Sequence, residues 1–350
     1  MTRYFLEHIA RFDGYTPGEQ INAAGVIKLN TNENPYPPSP AVARALAAVN
    51  PDMLRKYPQP LADDFRRAAA EVLGLHEDMI LPGNGSDELL RMIAMSFIGP
   101  GQSAAACYPT YSLYEVLVEV QNASMHWIDW PEDYSLPIDA LADARAPLTF
   151  LANPNAPTGT LVEPAAVSEL ASRLAGAGVL VVDEAYADFA GATCLDLVSR
   201  HENLIVLRTF SKGYSLAGLR FGYAVACREL IAGLRKVKDS YNCDALSIAL
   251  AAAAIRDRDY VAAVCAKVIA ERERLTAELA RRRWDVLPSR ANFLLARPPD
   301  GHARSRYERL KQQNILVRYF DSRRLADRLR ISVGTPAEDD ALLAALDAMG

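Results

Sequence analysis

The stretch Gly178-Val-Leu-Val-Val-Asp183-Glu-Ala-Tyr186 is an unbroken apolar run that ends in an acid. A second stretch, Asn203-Leu-Ile-Val-Leu-Arg-Thr-Phe-Ser211-Lys212, has the same form and ends in a lysine. Short runs of Val, Ile and Leu without polar alternation read as strands buried on both faces, the habit of parallel sheets covered by helices. The 29 residues from Asp183 to Lys212 leave room for one crossover, so the two strands are expected to run parallel in one sheet. Both charged ends then fall at the carboxyl edge of that sheet, where open α/β sheets take their ligands. Alone, Asp183 could equally cap a helix, and most lysines are solvated surface charges. Of the seven lysines in the chain, only Lys212 follows a serine at a strand end.

Outward from this pair, short apolar runs at 79–81, 103–107, 124–128 and 148–151 read as further strands. They alternate with helical spacing at 86–97, 111–120 and 164–174, which argues for βα units and a mostly parallel sheet. A long charged helical pattern covers 259–283. Beyond it, strands expected at 284–287, 292–296, 315–317 and 329–333, with helices between, suggest a compact α+β arrangement. Asn34-Pro-Tyr-Pro-Pro-Ser-Pro40 cannot be helical and reads as an extended arm. The expected organisation is an N-terminal arm, or part of the small domain, over 1–40, a large α/β domain over 41–245 and a small α+β domain over 246–350.

At 350 residues, 50% hydrophobic and 23% charged, the chain can bury substantial cores, which excludes a disordered or fibrous protein. With 38 Lys and Arg against 43 Asp and Glu, the net charge of −5 offers no general field for nucleic acid or an acidic membrane. Small molecules are the expected partners. The five cysteines are scattered, without a CxxC pair or a histidine at metal-ligand spacing, so no metal is expected and a reducing compartment fits. Met1-Thr-Arg-Tyr-Phe-Leu-Glu-His does not read as an export signal, and no uncharged run reaches membrane-spanning length. The expected location is cytoplasmic.

The chemistry lies in what else the same sheet edge would gather. Gly85-Ser86-Asp87 opens a helix with small residues whose free N–H groups and dipole form an anion cradle. Arg220, between two glycines, offers a forked guanidinium where backbone must come close to phosphate. Tyr111, after an expected strand, can stack on a flat ring, and Asn153-Pro-Asn-Ala156-Pro-Thr-Gly159 is a rigid turn. Each has a plainer reading as cap, surface arginine, core ring or simple turn. Their combination describes a pyridoxal phosphate pocket. Asp183 would keep the ring nitrogen protonated, Lys212 would bond the aldehyde, and Ser86, Ser211 and Arg220 would bind the phosphate.

At this point the chain resembles the fold-type-I pyridoxal phosphate-dependent aminotransferases, and within them the histidinol-phosphate branch. The resemblance rests on Lys28-Leu-Asn-Thr-Asn-Glu-Asn-Pro-Tyr36, Lys56-Tyr57-Pro58, Gly83-Asn-Gly-Ser-Asp-Glu88 and Val182-Asp-Glu-Ala-Tyr186. It also rests on Thr209-Phe-Ser-Lys-Gly-Tyr-Ser-Leu-Ala-Gly-Leu-Arg220, Ala291-Asn-Phe293 and Leu329-Arg-Ile-Ser-Val-Gly-Thr335. It implies a mostly parallel seven-stranded sheet between helices plus a smaller α+β domain, and a homodimer. By the same resemblance, Lys212, Asp183 and Tyr186 are catalytic. Gly85, Ser86, Asp87, Tyr111, Ser211, Arg220 and Tyr57 join them in holding the cofactor, Tyr57 from the neighbouring subunit. Arg330, Arg318 and Tyr15 are implied substrate contacts. The implied reaction is transamination between L-histidinol phosphate and 2-oxoglutarate, in histidine biosynthesis. An aromatic amino-acid aminotransferase and a threonine-phosphate decarboxylase-like lyase are its rivals on this scaffold. A non-catalytic regulator is disfavoured, because no DNA-reading module fits before Asn30.

One position departs from the family. Ala156 stands where the family turn commonly has an asparagine that donates to the cofactor's phenolic oxygen. A hydrogen bond to a charged oxygen contributes about 1.5–3 kcal/mol, so Tyr186, Asn153 or a water is expected to replace the donor.

Overall fold

In the computed structural model, which describes residues 4–16, 18–21 and 25–349, both opening runs are strands. They pair in parallel, from Leu180 opposite Leu204 to Asp183 opposite Leu207. Numbered along the chain, the strands are β1 (Ile27–Lys28), β2 (Ile80–Gly83), β3 (Ser103–Tyr108), β4 (Ser124–Asp129), β5 (Leu148–Ala152), β6 (Val179–Asp183), β7 (Leu204–Thr209) and β8 (Gly222–Ala226). They continue as β9 (Asp285–Val286), β10 (Phe293–Arg297), β11 (Ile315–Leu316), β12 (Arg318–Tyr319) and β13 (Leu329–Ser332). Strands β2 to β8 form one seven-stranded sheet in the order β2-β8-β7-β6-β5-β3-β4. Only β8 runs against its neighbours, so the mostly parallel sheet expected from the sequence is present.

Unbroken apolarity in β6 and β7 follows from burial on two sides. Leu180, Val182, Leu204 and Val206 enter the core on one face of the sheet, and Val179, Val181, Ile205 and Leu207 enter the core on the other. Helices Asp63–Leu73, Pro164–Leu174 and Ala245–Arg256 supply the first core, while Ser86–Phe97, Leu113–Val120 and Arg228–Leu234 supply the second. Each fully buried Val, Leu or Ile contributes about 1.5–3 kcal/mol, which fixes the sheet and therefore its carboxyl edge.

A four-stranded antiparallel sheet, β12-β13-β10-β9, forms a separate, smaller core with helices Ala303–Gln312 and Pro336–Asp347. The N-terminal stretch joins it, because β1 pairs in parallel with β11. Helix Arg258–Arg281 spans the two parts: Val268 and Cys265 pack beside Phe189, and Leu275 and Leu279 lie in the smaller core.

Several expected boundaries move. The helix expected from Tyr111 begins at Leu113, which leaves Tyr111 in the loop after β3. Strands β8 and β12 were not anticipated: Gly-Tyr-Ala-Val-Ala carries little β-branched signal, and Arg318–Tyr319 is too short to show a period. The division expected near residue 245 meets a helix, Ala245–Arg256, whose Ile248, Ala251 and Ile255 belong to a core of the large sheet. We therefore propose that the large domain extends to Arg256.

Candidate active site

Three carboxyl ends of the large sheet, those of β5, β6 and β7, and the loop after β3 open onto a cavity of about 220 Å³. Tyr15, Ser86, Asp87, Tyr111, Asp183, Tyr186, Ser211, Lys212, Arg220 and Arg330 line it, and so does Ala156.

Asp183 closes β6 and is 6% exposed. Its Oδ2 accepts from the Tyr114 hydroxyl at 2.9 Å and its Oδ1 from the Ala185 N–H at 3.1 Å. Burial pushes its pKa up to about 6 even though both hydrogen bonds pull the other way. Neither of those partners is cationic, so the buried carboxylate lacks the counter-charge that would offset its desolvation. A protonated ring nitrogen over β6 fits that need.

Lys212 follows the end of β7, where its Nζ donates to the Thr31 carbonyl at 3.0 Å and lies 5.7 Å from the centre of the Tyr186 ring. Desolvation, then the charges of Arg330 and Arg220, lower its pKa to about 8, against the opposing pull of Glu33 and Asp87. The amine is thus poised to lose a proton near neutrality.

The anion cradle is built by close backbone approach. Gly85, at φ +80°, precedes helix Ser86–Phe97, whose first N–H groups have no partner within the helix. A Cβ on Gly85 would stand 2.7 Å from Arg220 Nη2, and one on Gly222 would stand 2.9 Å from the Ser86 nitrogen. Arg220 Nη1 donates to Ser211 Oγ and its Nη2 to Asp87 Oδ2, each at 3.3 Å. Tyr111 donates to the other oxygen of Asp87 at 3.3 Å, and its ring meets that of Tyr15 edge-on at 5.9 Å.

On the opposite wall, Arg330 in β13 donates through Nη2 to the Asn30 carbonyl at 2.8 Å. Its guanidinium lies against the rings of Phe293 (5.4 Å) and Phe320 (5.5 Å). Its Nε is buried without a hydrogen-bond partner among the described residues. The residue lines the cavity, and a buried guanidinium with no carboxylate partner among those residues fits an anionic ligand. Arg318 stands opposite Arg330 in the β12–β13 register, with Nη2 donating to the Thr16 carbonyl at 3.4 Å and its charge over Phe320. It does not line the cavity itself.

Tyr57 is elsewhere. It is 81% exposed, stacked on Tyr241 at 4.5 Å, and lines a separate surface cavity.

Three contributors carried no role in the sequence reading. Asn32 donates to the Tyr186 hydroxyl at 3.0 Å; its own backbone N–H and Oδ1 are held by Ser332 Oγ at 2.9 and 2.8 Å, and Asn292 grips its carbonyl at 3.0 Å. Tyr114 looked like one more apolar helix position, yet its hydroxyl orients Asp183. Thr209 donates to Ser211 Oγ at 3.1 Å. The motif Asn30-Thr-Asn-Glu-Asn34 was the one available signal, since that density of amides inside an otherwise apolar approach demands partners.

Asn153 is not the replacement donor for Ala156. Its amide both donates to the Val162 carbonyl and accepts the Val162 N–H, at 2.8 Å each. Tyr186, which accepts from Asn32, and a water are the expected replacements that stand.

The family model for aminotransferase class I and II matches residues 24–346 of the chain. It is 47% identical over 347 residues to histidinol-phosphate aminotransferase 1 of Trichormus variabilis, covering 99% of each. It is 45% identical over 338 residues to histidinol-phosphate aminotransferase of Rhodopirellula baltica, covering 96% of this chain and 92% of that protein. Among solved structures, it superimposes with a TM-score of 0.91 on histidinol-phosphate aminotransferase from Sinorhizobium meliloti in complex with pyridoxal-5'-phosphate, at 27% identity, covering 100% of this chain and 99% of that one. A matching sheet edge, a family model spanning nearly the whole chain and full-length relatives agree that this chain belongs to the class I and II aminotransferases.

Proposed function

We propose that the chain is a pyridoxal phosphate-dependent transaminase that interconverts L-histidinol phosphate and 2-oxoglutarate with imidazole acetol phosphate and L-glutamate, in the cytoplasm. The observation that carries the reading is one cavity that joins an amine of lowered pKa, Lys212, a buried acid, Asp183, and the guanidinium of Arg330, whose Nε has no partner among the described residues. The full-length relatives named above support the choice of substrate.

When bound, pyridoxal phosphate supplies an aldehyde carbon for the amino group and a ring that takes up the electrons of the substrate's Cα–H bond. The protein's part is division of labour. Ser86, Ser211, Arg220 and the N–H groups after Gly85 hold the phosphate, and Asp87 orients Arg220 and Tyr111. Tyr111 would cover the ring face, Asp183 would hold the ring nitrogen, and Tyr186, which accepts from Asn32, would serve the phenolic oxygen. Lys212 Nζ would take the proton from Cα of the amino donor and, in the second half-reaction, deliver one to Cα of the acceptor. With no aldehyde bound, its pKa of about 8 leaves roughly a tenth of the amine neutral at pH 7, ready to attack the aldehyde. Arg330 would fork onto the glutamate carboxylate in one half-reaction and the substrate phosphate in the other, with Tyr15 beside it in the cavity and Arg318 behind it. Holding either anion there sets Cα within reach of Lys212.

Tyr57 completes the pocket of a second copy, so the working form is a homodimer. Its exposed position beside Tyr241, away from its own cavity, supports that reading. Purified protein given histidinol phosphate and 2-oxoglutarate should release glutamate, and should prefer that amine to phenylalanine or tyrosine. Absence of glutamate, or preference for the aromatic amino acids, overturns the assignment.

A further inference from the structure

The loop between β12 and β13 leaves its own sheet and grips the large one. Tyr108 and Asp129, the last paired residues of β3 and β4, receive it. The Arg323 guanidinium lies 4.1 Å from the centre of the Tyr108 ring and donates to Asp129 Oδ2 at 2.8 Å, while the Tyr108 hydroxyl donates to the Arg323 carbonyl at 3.3 Å. Arg324, held in the left-handed region at φ +66°, donates to the Trp130 carbonyl at 2.7 Å and faces the Tyr134 ring. A non-glycine residue held in that backbone region means the surrounding contacts hold the loop in place.

What this loop joins gives the contact its meaning. It begins at Phe320, whose ring lies against both Arg318 and Arg330, and it ends in β13, which carries Arg330. Its seat, Tyr108, leads directly into Pro109, Thr110 and Tyr111, and the Pro109 carbonyl is itself fixed by Trp130 Nε1 and Asn155 Nδ2. The contact therefore ties the wall that bears the anion-binding arginines to the wall that bears the stacking tyrosine.

We propose that Arg323 and Arg324 are positioning residues for transamination: they dock the β12–β13 hairpin on the carboxyl edge of the large sheet and so set the distance between Arg330 and Lys212. This rests on the reading of Arg330 as the anion-binding residue. Neither arginine lines the cavity, so their loss acts on substrate placement and leaves the chemical groups intact.

The test is steady-state kinetics of the holoenzyme with glutamate and with histidinol phosphate. Arg323→Ala and Asp129→Ala should each raise KM for both substrates by about three- to tenfold, with kcat within about twofold and cofactor absorbance unchanged. The double variant should be no worse than the poorer single one, because the two act through one contact. Arg323→Lys should recover most of the loss, and Arg324→Ala should behave like Arg323→Ala. Unchanged KM values, effects of Arg323→Ala and Asp129→Ala that simply add, or a fall in kcat alone each overturn the proposal. Arg330→Ala separates the two readings. If it leaves both KM values unmoved, the anion-binding assignment is wrong; if it raises them while the latch variants do not, only the positioning role fails.

Discussion

Lys212 and Asp183 owe their chemistry to desolvation, and desolvation makes them sensitive to single-atom changes. Asp183→Asn keeps the shape and removes the charge, so kcat for transamination should fall by about 100-fold or more, because an amide cannot stabilise positive charge on a ring nitrogen. Stopped-flow of the glutamate half-reaction would measure it. Without the cofactor Lys212 loses its proton around pH 8, so in the apoenzyme the fraction of neutral amine should rise with pH through that value. The rate at which apoenzyme captures added pyridoxal phosphate tests this, and a rate flat between pH 6 and 9 contradicts it. Asn32→Ala removes the hydrogen bond that reaches Tyr186, an interaction of about 0.5–1.5 kcal/mol. It should lower kcat/KM by about two- to tenfold while leaving cofactor content unchanged, which visible absorbance per subunit would check. That Asn32 was missed has a physical reason. Its importance lies in contacts with Ser332 and Asn292, some 300 and 260 residues away, and no local pattern encodes such a pairing. Asp183, Lys212 and Arg220, in contrast, announce themselves through the strands and glycines beside them.

At the scale of elements, the turn after β7 depends on an ionic brace beneath it. Arg208 pairs with Glu184 at 3.1 Å and with Asp188, and Glu184 also accepts from Thr193 at 2.7 Å and from the Cys194 N–H. Asp188 in turn packs against Gly213, the residue after Lys212, leaving no room there for a Cβ. Arg208→Met would leave Glu184 buried without its cation, a loss of about 3–5 kcal/mol. Chemical denaturation should show that loss, whereas an exposed pair such as Arg55 with Asp52 should contribute under about 1 kcal/mol. Gly85→Ala tests the cradle: positive φ and the nearness of Arg220 both oppose it, so cofactor affinity should drop with little change in fold. Strands buried on both faces were legible because their apolar runs are continuous. Strand β8 was not, since two of its five residues are alanine and one is glycine, and what makes it a strand is the pair of neighbours on either side.

Across the whole molecule, the two cores meet along helix Arg258–Arg281, and an acid pair lies on that line. Asp339 is fully buried at the start of the last helix; its Oδ1 accepts the Gly334 N–H at 3.1 Å, and its side chain faces Glu271, which Arg274 forks. Burial, and then Glu271, raise the Asp339 pKa to about 8. The folded protein therefore keeps a proton that the unfolded chain releases near pH 4. The stability this confers is complete below about pH 4 and is lost as pH rises through about 8. Asp339→Asn should raise Tm relative to the parent at pH 9, and by more than at pH 5. Equal shifts at both values would contradict the protonated state. Overall architecture was readable because alternating strands and helices constrain topology tightly, but the place where one core yields to the other was not. The Ala-rich helix Ala245–Arg256 looks alike whichever core it joins.

The pairing of β1 with β11, and the grip of Ser332 on Asn32, also bear on how the protein is made. A ribosome adding about 5–20 residues per second needs roughly 15–60 s to cover the 300 residues between those partners. Throughout that interval Lys28 to Glu33 have emerged without the strands that will hold them. The vitamin-derived ligand thus meets a finished binding site only after translation has nearly ended, and nascent chains stalled before Ser332 should fail to retain it.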